Sequence, residues 1–487
     1  MLTLARPYHR LMQHLQRLSG LDASFLYLET PTQPLHVCSV LELDAATIPG
    51  GYSFESLREH LAERLTAIPT FREKLANSFL NLDHPVWVED DDFDLVRHLH
   101  RIGLPAPGGR EELSEICGHL ASLPLDRRHP LWEMWVIEGL DGKDTRKGGR
   151  LAVLTKIHHA AVDGVTGANL MSQLCSTEPT APPPVPVPAA AGADANPVRI
   201  ALGGLGRFAS RPVRLATSVL PATVSTVVET VRRAAGGRAM ASPFAAPQTP
   251  FNASVTAHRN VALCQLDLAD VKKVKDHFGV KVNDVVMALV SGVLRRYLAD
   301  RDELPESSLV AMVPVSVHDR SDRPGRNQVS GMFTSLQTQI NDPGERLRAI
   351  AGGNSTAKEH SSAIGASLLQ DWSQFAGPAV FGVAMRVYAQ SSLTETRPVH
   401  NLVVSNVPGP QIPLYFLGAE VQAMYPLGPI FHGAGLNITV MSLNGTLNVG
   451  LISCPELLPD LWDMADAFPV EMKALIAATG RAPAGRH

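Results

Sequence analysis

Cysteine is scarce in this sequence, and secretion signals and long apolar runs are lacking. The chain has 487 residues and five cysteines, an odd number with no CxxC pair among them. This usage favours a reduced, cytoplasmic compartment over a disulfide-stabilised secreted protein. The opening residues MLTLARPYHR lack the apolar core of a signal peptide, and no apolar run approaches the ~20 residues that span a bilayer. We therefore expect a cytoplasmic protein.

Several catalytic and binding signatures are also missing. The sequence contains no GxSxG elbow and no cysteine in a recognisable nucleophilic setting, so a covalent nucleophile is not indicated. A formal net charge of -4 and the lack of a recognisable binding module argue against a nucleic-acid partner. The acidic run EDDDFD (89–94) is typical of a solvated loop. Because His158, His159 and Asp163 have no well-spaced fourth ligand, we also expect no metal.

Length and composition indicate two globular domains. The chain is 45% hydrophobic and 18% charged, and each half is long enough to bury its own core. Residues 1–176 have mixed α/β patterning, and a Pro- and Ala-rich stretch follows that is typical of an extended linker. The predicted organisation is therefore an N-terminal domain over 1–176, a connector over 177–255 and a C-terminal α/β domain over 256–487, with a cleft between the two domains.

Local patterns predict individual elements in both domains. Helical spacing of apolar residues, β-rich runs and turn residues separate the segments. The predicted helices are Ser53 to Ile68, Leu268 to Phe278 and an apolar helix through Tyr297 that Asn283-Asp284 caps. The predicted hairpins join 131–137 to 151–157, and 436–443 to 446–453 through Asn444-Gly445.

The connector is basic as well as Pro-rich. Residues 199–238 contain seven arginines set among Leu, Val, Phe and Ala, and Glu229 is the only acidic residue. Such an amphipathic stretch can bind an anionic lipid surface. A helical linker packed between the domains, with its arginines in water, is an equally good interpretation.

The segment KIHHAAVDG (156–164) is the strongest functional signal. It follows the β-like run LAVLT and places His158 and His159 just before the turn Asp163-Gly164. Histidine is well suited to accept a proton near neutral pH. Neighbouring residues on a strand face opposite sides, so one imidazole faces the cleft and the other the packed interior. We interpret the motif as the active site, the alternative being ordinary histidines at a strand end.

The chain resembles the bacterial bifunctional wax ester synthase/acyl-CoA:diacylglycerol acyltransferases. The resemblance extends in the right order over almost the whole chain. Beyond HHAAVDG and the final hairpin, it rests on LSGLDASF (18–25), PLHV (34–37), FDLVRH (93–98), PLW (130–132), VNDV (282–285) and SNVPGP (405–410). This family belongs to the CoA-dependent acyltransferase superfamily, so the resemblance implies an α/β (α+β) fold of two chloramphenicol-acetyltransferase-like domains with the active-site tunnel between them.

The resemblance also implies roles for individual residues. His159 is the superfamily's catalytic histidine, acting as general base toward an acceptor hydroxyl, and His158 is its supporting neighbour. The superfamily implies that Asp163 is structural, pairing with an arginine, although a hydrolase-like orienting role is the alternative. Gly164 permits the close turn. Asn283 is a candidate polar group at the reacting centre, with a plain helix cap as the other interpretation; PLW and SNVPGP are expected to shape the cleft.

Three functions follow as hypotheses. The first is an acyl-CoA-dependent O-acyltransferase that converts diacylglycerol to triacylglycerol, and also long-chain alcohols to wax esters, with acyl-CoA as co-substrate and no bound cofactor. The second is a stand-alone amide-forming condensation-type enzyme, since those share HHxxxDG. The third is a non-catalytic lipid-surface protein. For the first we expect a cytoplasmic enzyme, peripheral at the inner membrane or at lipid inclusions.

Overall fold

The protein has a mixed α/β fold built around two sheets. The structure, a computed structural model, describes residues 16–77, 83–143, 145, 149–162, 174–187, 246–316, 329–361 and 398–480. Within these ranges the strands form a seven-stranded sheet, a six-stranded sheet and a separate antiparallel pair.

Helices and strands are mixed along both regions of the chain, residues 16–187 and 246–480. In the first region they are α1 (Gly20–Leu28), β1 (His36–Asp44), α2 (Phe54–Leu65), β2 (Glu73–Ala76), β3 (Val86–Glu89), β4 (Leu99–Gly103), α3 (Arg110–Ser122), β5 (Trp132–Glu138), β6 (Arg150–His158) and β7 (Cys175–Ser176). In the second they are β8 (Asn260–Asp267), α4 (Leu268–Phe278), α5 (Val282–Ala299), β9 (Val310–Ser316), β10 (Val329–Ser335), α6 (Pro343–Ser361), β11 (Leu402–Val407), β12 (Tyr415–Phe416), β13 (Ala419–Leu427), β14 (Leu436–Leu443), β15 (Thr446–Ser453) and α7 (Leu461–Thr479).

Strand β6 lies in the interior of the first, seven-stranded sheet, whose strand order is β4-β5-β6-β1-β13-β12-β7. It pairs antiparallel with β5 on one side and with β1 on the other. Every residue from Leu151 to His158 is buried, as expected for an apolar run covered on both faces. The predicted hairpin is confirmed, and its second strand ends at His158, inside the motif. A rigid, fully packed strand therefore carries the histidine pair.

The second, six-stranded sheet has the order β10-β9-β11-β14-β15-β8 and contains the other predicted hairpin. Strands β14 and β15 pair from Leu443↔Thr446 outwards, with Asn444 and Gly445 as the two loop residues. Both have positive φ, 41° and 82°, which a two-residue hairpin turn of this kind requires. Helices α4, α5 and α7 pack on this sheet and bury an extensive apolar core.

The first sheet includes strands from the C-terminal part of the sequence. Strands β12 and β13 come from residues 415–427, yet they extend the first sheet, and β13 pairs antiparallel with β1. The backbones of β13 and β15 approach so closely that a Cβ on Gly450 would lie 2.1 Å from the Pro426 carbonyl oxygen. The C-terminal region is thus part of the sheet that holds the motif.

Two local predictions are corrected. Helix α5 begins slightly earlier than expected: Lys281, not Asn283-Asp284, is the N-cap, and its N–H donates to Asp284 Oδ2 at 2.9 Å, so Asn283 lies inside the first turn. The acidic run at 89–94 is not simply a solvated loop. Asp90 is buried and accepts a hydrogen bond from Lys74 Nζ at 2.6 Å, which compensates its burial.

In the described ranges, no single helix has both the length and the apolar composition to cross a bilayer. Helices α4 and α5 meet that test only when taken together, and they are bent by 105° relative to one another.

Candidate active site

The two histidines of the motif lie in different environments. His158 is fully buried, whereas His159 is half-buried. Their backbone N–H groups point to opposite neighbours: that of His158 donates to Leu131 O and that of His159 donates to Leu35 O, each at 2.9 Å. The alternation expected at a strand end thus turns one ring inward and leaves the other accessible.

His158 organises the turn that follows the strand. Its Nδ1 accepts the backbone N–H of Ala160 at 3.0 Å, so the ring proton lies on Nε2. That nitrogen is 3.5 Å from Glu29 Oε2. Across the strand pair, His36 is the register partner of His158, with ring centroids 6.1 Å apart. A buried polar cluster therefore lies directly behind the accessible histidine.

Glu29 is the centre of this cluster. Its Oε1 accepts the N–H of Leu35 at 3.3 Å and lies 3.4 Å from His36 Nε2. Its Oε2 accepts from Arg127 Nε at 3.1 Å, and Arg127 Nη2 also donates to Leu26 O at 2.8 Å. Leu35 in turn accepts the backbone N–H of His159. The Glu29 carboxylate thus contacts His158, which precedes His159, and Leu35, which accepts the His159 N–H.

Burial and charge set the protonation of this cluster. Burial alone would raise the pKa of the Glu29 carboxyl, but the neighbouring His158 ring and the charge of Arg127 outweigh it and hold the pKa well below its usual range. Burial, reinforced by the charge of Lys156, lowers the pKa of His36 well below its ordinary value. Glu29 is therefore ionised and His36 neutral near neutral pH.

The accessible histidine is in contact with an aromatic ring. Phe25, on helix α1, stacks on His159 with ring centroids 3.9 Å apart and an interplanar angle of 13°. Helix α1 is held at its start by Ser19, whose Oγ accepts from Asp22 N at 3.1 Å while Asp22 Oδ2 accepts from Ser19 N at 3.1 Å. The LSGLDASF motif thus forms the cap and body of a helix that reaches His159.

A buried lysine fixes the other face of β6. Lys156 is fully buried, and its Nζ lies 3.0 Å from Glu133 Oε2. It also donates to the carbonyl oxygens of Leu120 and Leu123, at 3.2 and 2.9 Å, at the C-terminal end of α3. A cation at this helix end is favourable. The lysine of KIHHAAVDG therefore ties the motif strand to α3.

The FDLVRH and PLW motifs pack against each other. His98 Nδ1 donates to Trp132 O at 2.8 Å, and its ring stacks on that of Trp132 with centroids 4.6 Å apart. Phe93 also stacks on the His98 ring, with centroids 5.3 Å apart, and lies 6.5 Å from the Trp132 ring. Trp132 Nε1 donates to Phe71 O at 2.8 Å, so its polar atom is satisfied inside the core. These motifs build the wall behind β5.

The VNDV and SNVPGP motifs also meet. Asn283, in the first turn of α5, accepts at Oδ1 a hydrogen bond from Asn406 Nδ2 at 3.4 Å. Its neighbour Asp284 accepts at Oδ1 from buried Asn354 at 2.8 Å. Gly409 lies so close to Ser442 that a Cβ there would be 2.2 Å from the Ser442 carbonyl oxygen. The glycine of SNVPGP is thus required by close backbone packing.

Some predicted site features lie outside the described residues. These are Asp163, Gly164 and the basic segment at 199–238, whose assigned roles stay predictions. In the described ranges, no group of three or more His, Cys, Asp and Glu side chains is arranged to hold a metal ion. All five cysteines are free and buried, and burial raises the pKa of both Cys38 and Cys175 to about 12. Such thiols are poor nucleophiles.

Comparison with known proteins identifies the family. Residues 18–286 match the model of the wax ester synthase/diacylglycerol acyltransferase catalytic domain, and residues 326–476 match that of the family's C-terminal domain. The chain belongs to the wax ester synthase/diacylglycerol acyltransferase family. A Mycobacterium tuberculosis protein with the provisional name diacylglycerol O-acyltransferase is 58% identical over 97% of this chain and 92% of its own length. A second such protein from that species is 35% identical over 95% of this chain and all of its own length.

Solved structures agree with the family assignment. The wax ester synthase/diacylglycerol acyltransferase from Marinobacter aquaeolei VT8 has a TM-score of 0.67 and 29% identity, covering 96% of this chain and 100% of that one. The first condensation domain of the calcium-dependent antibiotic synthetase has a TM-score of 0.58 at 16% identity, covering 97% and 98%. This second likeness concerns the fold alone. The protein is an acyltransferase with the predicted mixed α/β fold, and it acts on an acyl donor and an acceptor.

The candidate site also contains residues that the sequence motifs did not single out as functional. Phe25 and His36 lie inside the quoted LSGLDASF and PLHV motifs, and Glu29 follows Phe25 by four residues. Residues at that spacing share one face of a helix. The signal was present in the i, i+4 pair at the end of α1, although only the fold shows that this face meets the histidines.

Proposed function

We propose that this acyltransferase moves a fatty-acyl group from acyl-CoA to the hydroxyl of diacylglycerol, forming triacylglycerol, and also to long-chain alcohols, forming wax esters. The observation that carries the proposal is the half-buried imidazole of His159 at the end of a fully buried strand, in a chain of this family. The names of its relatives supply the two acceptors. Acyl-CoA is the co-substrate, and no resident cofactor is required.

His159 is the proposed general base. Its Nδ1 is buried, so Nε2 is the nitrogen assigned to proton transfer. As the acceptor oxygen attacks the thioester carbon, its proton passes to Nε2 and the carbonyl oxygen becomes an oxyanion. When the C–S bond breaks, the oxyanion returns to a carbonyl, and the imidazolium protonates the CoA thiolate. One ester forms, one thioester is consumed, and the histidine is regenerated.

The neighbouring residues have supporting roles in this proposal. His158 holds the turn through Ala160, and Asp163 and Gly164 maintain the loop that follows. Asn283, whose Oδ1 accepts a hydrogen bond from Asn406 Nδ2, is a candidate polar group at the reacting centre. The tunnel that admits both substrates remains a prediction of the superfamily resemblance.

Acceptor recognition is expected to be broad. A long-chain alcohol and a diacylglycerol each present one hydroxyl on an apolar body, and a hydrophobic channel separates apolar shapes by only about 1–3 kcal/mol per methylene. Because such acceptors are insoluble in water, we propose peripheral attachment to the inner membrane or to lipid inclusions. The arginines at 199–238 would add about 1 kcal/mol each near an anionic surface.

A competition assay tests the reaction. Purified enzyme receives palmitoyl-CoA with equimolar hexadecanol and dioleoylglycerol, and both lipid products and free CoA are measured. We expect both esters, with triacylglycerol in excess. Almost exclusive wax ester would overturn the acceptor preference, and no ester from either acceptor would overturn the proposed function.

Variants of the two histidines test the mechanism. His159→Ala should stay folded and lose the ~10²–10⁴-fold that general-base catalysis contributes. His158→Ala should retain more turnover and melt at a lower temperature, because its ring is buried and bonded to the turn. The reverse ranking would show that the two roles have been exchanged.

A further inference from the structure

The intrinsic torsional preferences of a histidine side chain do not fix the orientation of its ring. The last side-chain torsion of histidine joins an sp³ to an sp² carbon, and its energy profile is broad. A ring that must direct Nε2 at one hydroxyl therefore needs contacts that hold its plane. Among the described side chains, the ring of Phe25 is the one stacked on His159.

We propose that Phe25 is a positioning residue for His159: its ring face fixes the plane of the imidazole and favours the protonated imidazole that the reaction forms. The centroid separation of 3.9 Å and angle of 13° mean that the two rings touch face to face. Rotation of the imidazole about its Cβ–Cγ bond would drive its edge into the phenyl ring. The inference rests on the proposed role of His159 as the base.

The phenyl ring is itself held firmly. Phe25 lies between the capping box at Ser19 and the C-cap Glu29, whose backbone N–H donates to Phe25 O at 3.2 Å. Arg127 ties the next residue, Leu26, through its carbonyl oxygen at 2.8 Å. A helix anchored at both ends therefore presents the ring.

Stacking affects the chemical step more than substrate binding. A misplacement of the base by a fraction of an ångström lowers the rate of proton transfer and leaves the binding surfaces intact. The electron-rich face of an aromatic ring also attracts a cation, so it favours the imidazolium that forms when His159 takes the acceptor's proton. Both effects change kcat and leave KM nearly unaltered.

The first test replaces the ring and keeps its apolar bulk. Phe25→Leu should lower kcat for palmitoyl-CoA and hexadecanol by ~10–100-fold, with KM for each substrate within about threefold of wild type. Phe25→Tyr, which keeps the aromatic face, should restore most of kcat. The matched control is Phe93→Leu, because Phe93 also stacks on a histidine, His98 at 5.3 Å, in the same region. This control should retain wild-type kcat per folded enzyme.

Equal falls in kcat for Phe25→Leu and Phe93→Leu would overturn the proposal, since both would then reflect loosening of the core. So would a Phe25→Leu enzyme within twofold of wild type, or a change confined to KM. Folding of each variant is checked by circular dichroism and melting temperature.

A spectroscopic test does not depend on turnover. Ring protons of an imidazole stacked on a phenyl face resonate upfield, and those of His159 are assigned by their loss in His159→Ala. In Phe25→Leu they should move downfield, and in Phe25→Tyr they should not. If the shift occurs but His159→Ala remains active, the stack is real and the proposed base is wrong; if the resonances do not move, the positioning role is wrong whatever the activity.

Discussion

Neutralising Glu29 is the most informative perturbation of the cluster behind the active site. Glu29→Gln keeps the shape of the side chain and removes the negative charge of the carboxylate that faces Arg127, His158 and His36. The Glu29 side chain is only 12% exposed, so water cannot replace these contacts. Hydrogen bonds to charged groups contribute about 1.5–3 kcal/mol each. Since Arg127 is 44% exposed and can turn to solvent, we expect the free energy of unfolding to fall by about 1.5–3 kcal/mol in total.

The effect should depend on pH with a definite sign. The pKa of Glu29 is held below its ordinary value in the folded protein. A depressed carboxyl pKa stabilises the fold above the unfolded-state pKa of about 4.3, and this contribution is lost as the pH falls through the folded-state pKa. The difference between wild type and Glu29→Gln should therefore be constant from pH 6 to 8, on the order of the full effect, and shrink below about pH 5.

Urea denaturation followed by tryptophan fluorescence measures this difference, because Trp87 and Trp132 are buried in the same core as α1. The matched control is Glu63→Gln, an exposed carboxylate on α2, which should change stability by less than about 0.5 kcal/mol. Equal unfolding midpoints for wild type and Glu29→Gln at pH 7, or a gap that widens in acid, would refute the reasoning.

Two further predictions concern buried ion pairs. Lys156→Met should lower the free energy of unfolding by about 3 kcal/mol, because Glu133 and two carbonyl oxygens lose their buried cation, and adding Glu133→Gln should recover part of that loss in a double-mutant cycle. Glu471→Ala should lower the free energy of unfolding by about 3–5 kcal/mol, because Arg346 is only 3% exposed and would keep its charge without a carboxylate. The double variant Glu471→Ala with Arg346→Met should be less destabilised than Glu471→Ala alone, and the opposite order would contradict this account.

Local features of the fold were predictable because they depend on short-range physics. Asn444-Gly445 adopts the positive φ angles of a tight hairpin, and the predicted helix begins directly after its N-cap Ser53, although it ends at Leu65 and not at Ile68. The alternation of side chains along a strand predicted that one motif histidine would be buried. His158 is buried and His159 is not, so this expectation needed no knowledge of the partner strands.

Other features depend on contacts between distant residues and could not be predicted in this way. Strand β13 pairs with β1 across almost four hundred residues of sequence, and no local pattern specifies that partner. Asp90 was assigned to a solvated loop because its neighbours are acidic, yet Lys74 on the paired strand compensates its burial. The N-cap of α5 was misplaced because Asp284 caps by reaching back to Lys281.

The arrangement around the motif separates two demands on a catalytic histidine. A base must be accessible to substrate, and its ring must keep one orientation. The end of a strand fixes the position of the backbone but not the orientation of the ring. Here the buried neighbour His158, bonded to Ala160 and facing Glu29, stabilises the turn. Phe25 acts on the ring itself. Phe25 lies on α1 and Glu29 is the C-cap of the same helix, so one helix and its end supply both contacts. In the proposed reaction, the acceptor hydroxyl and the thioester approach His159 away from the Phe25 ring.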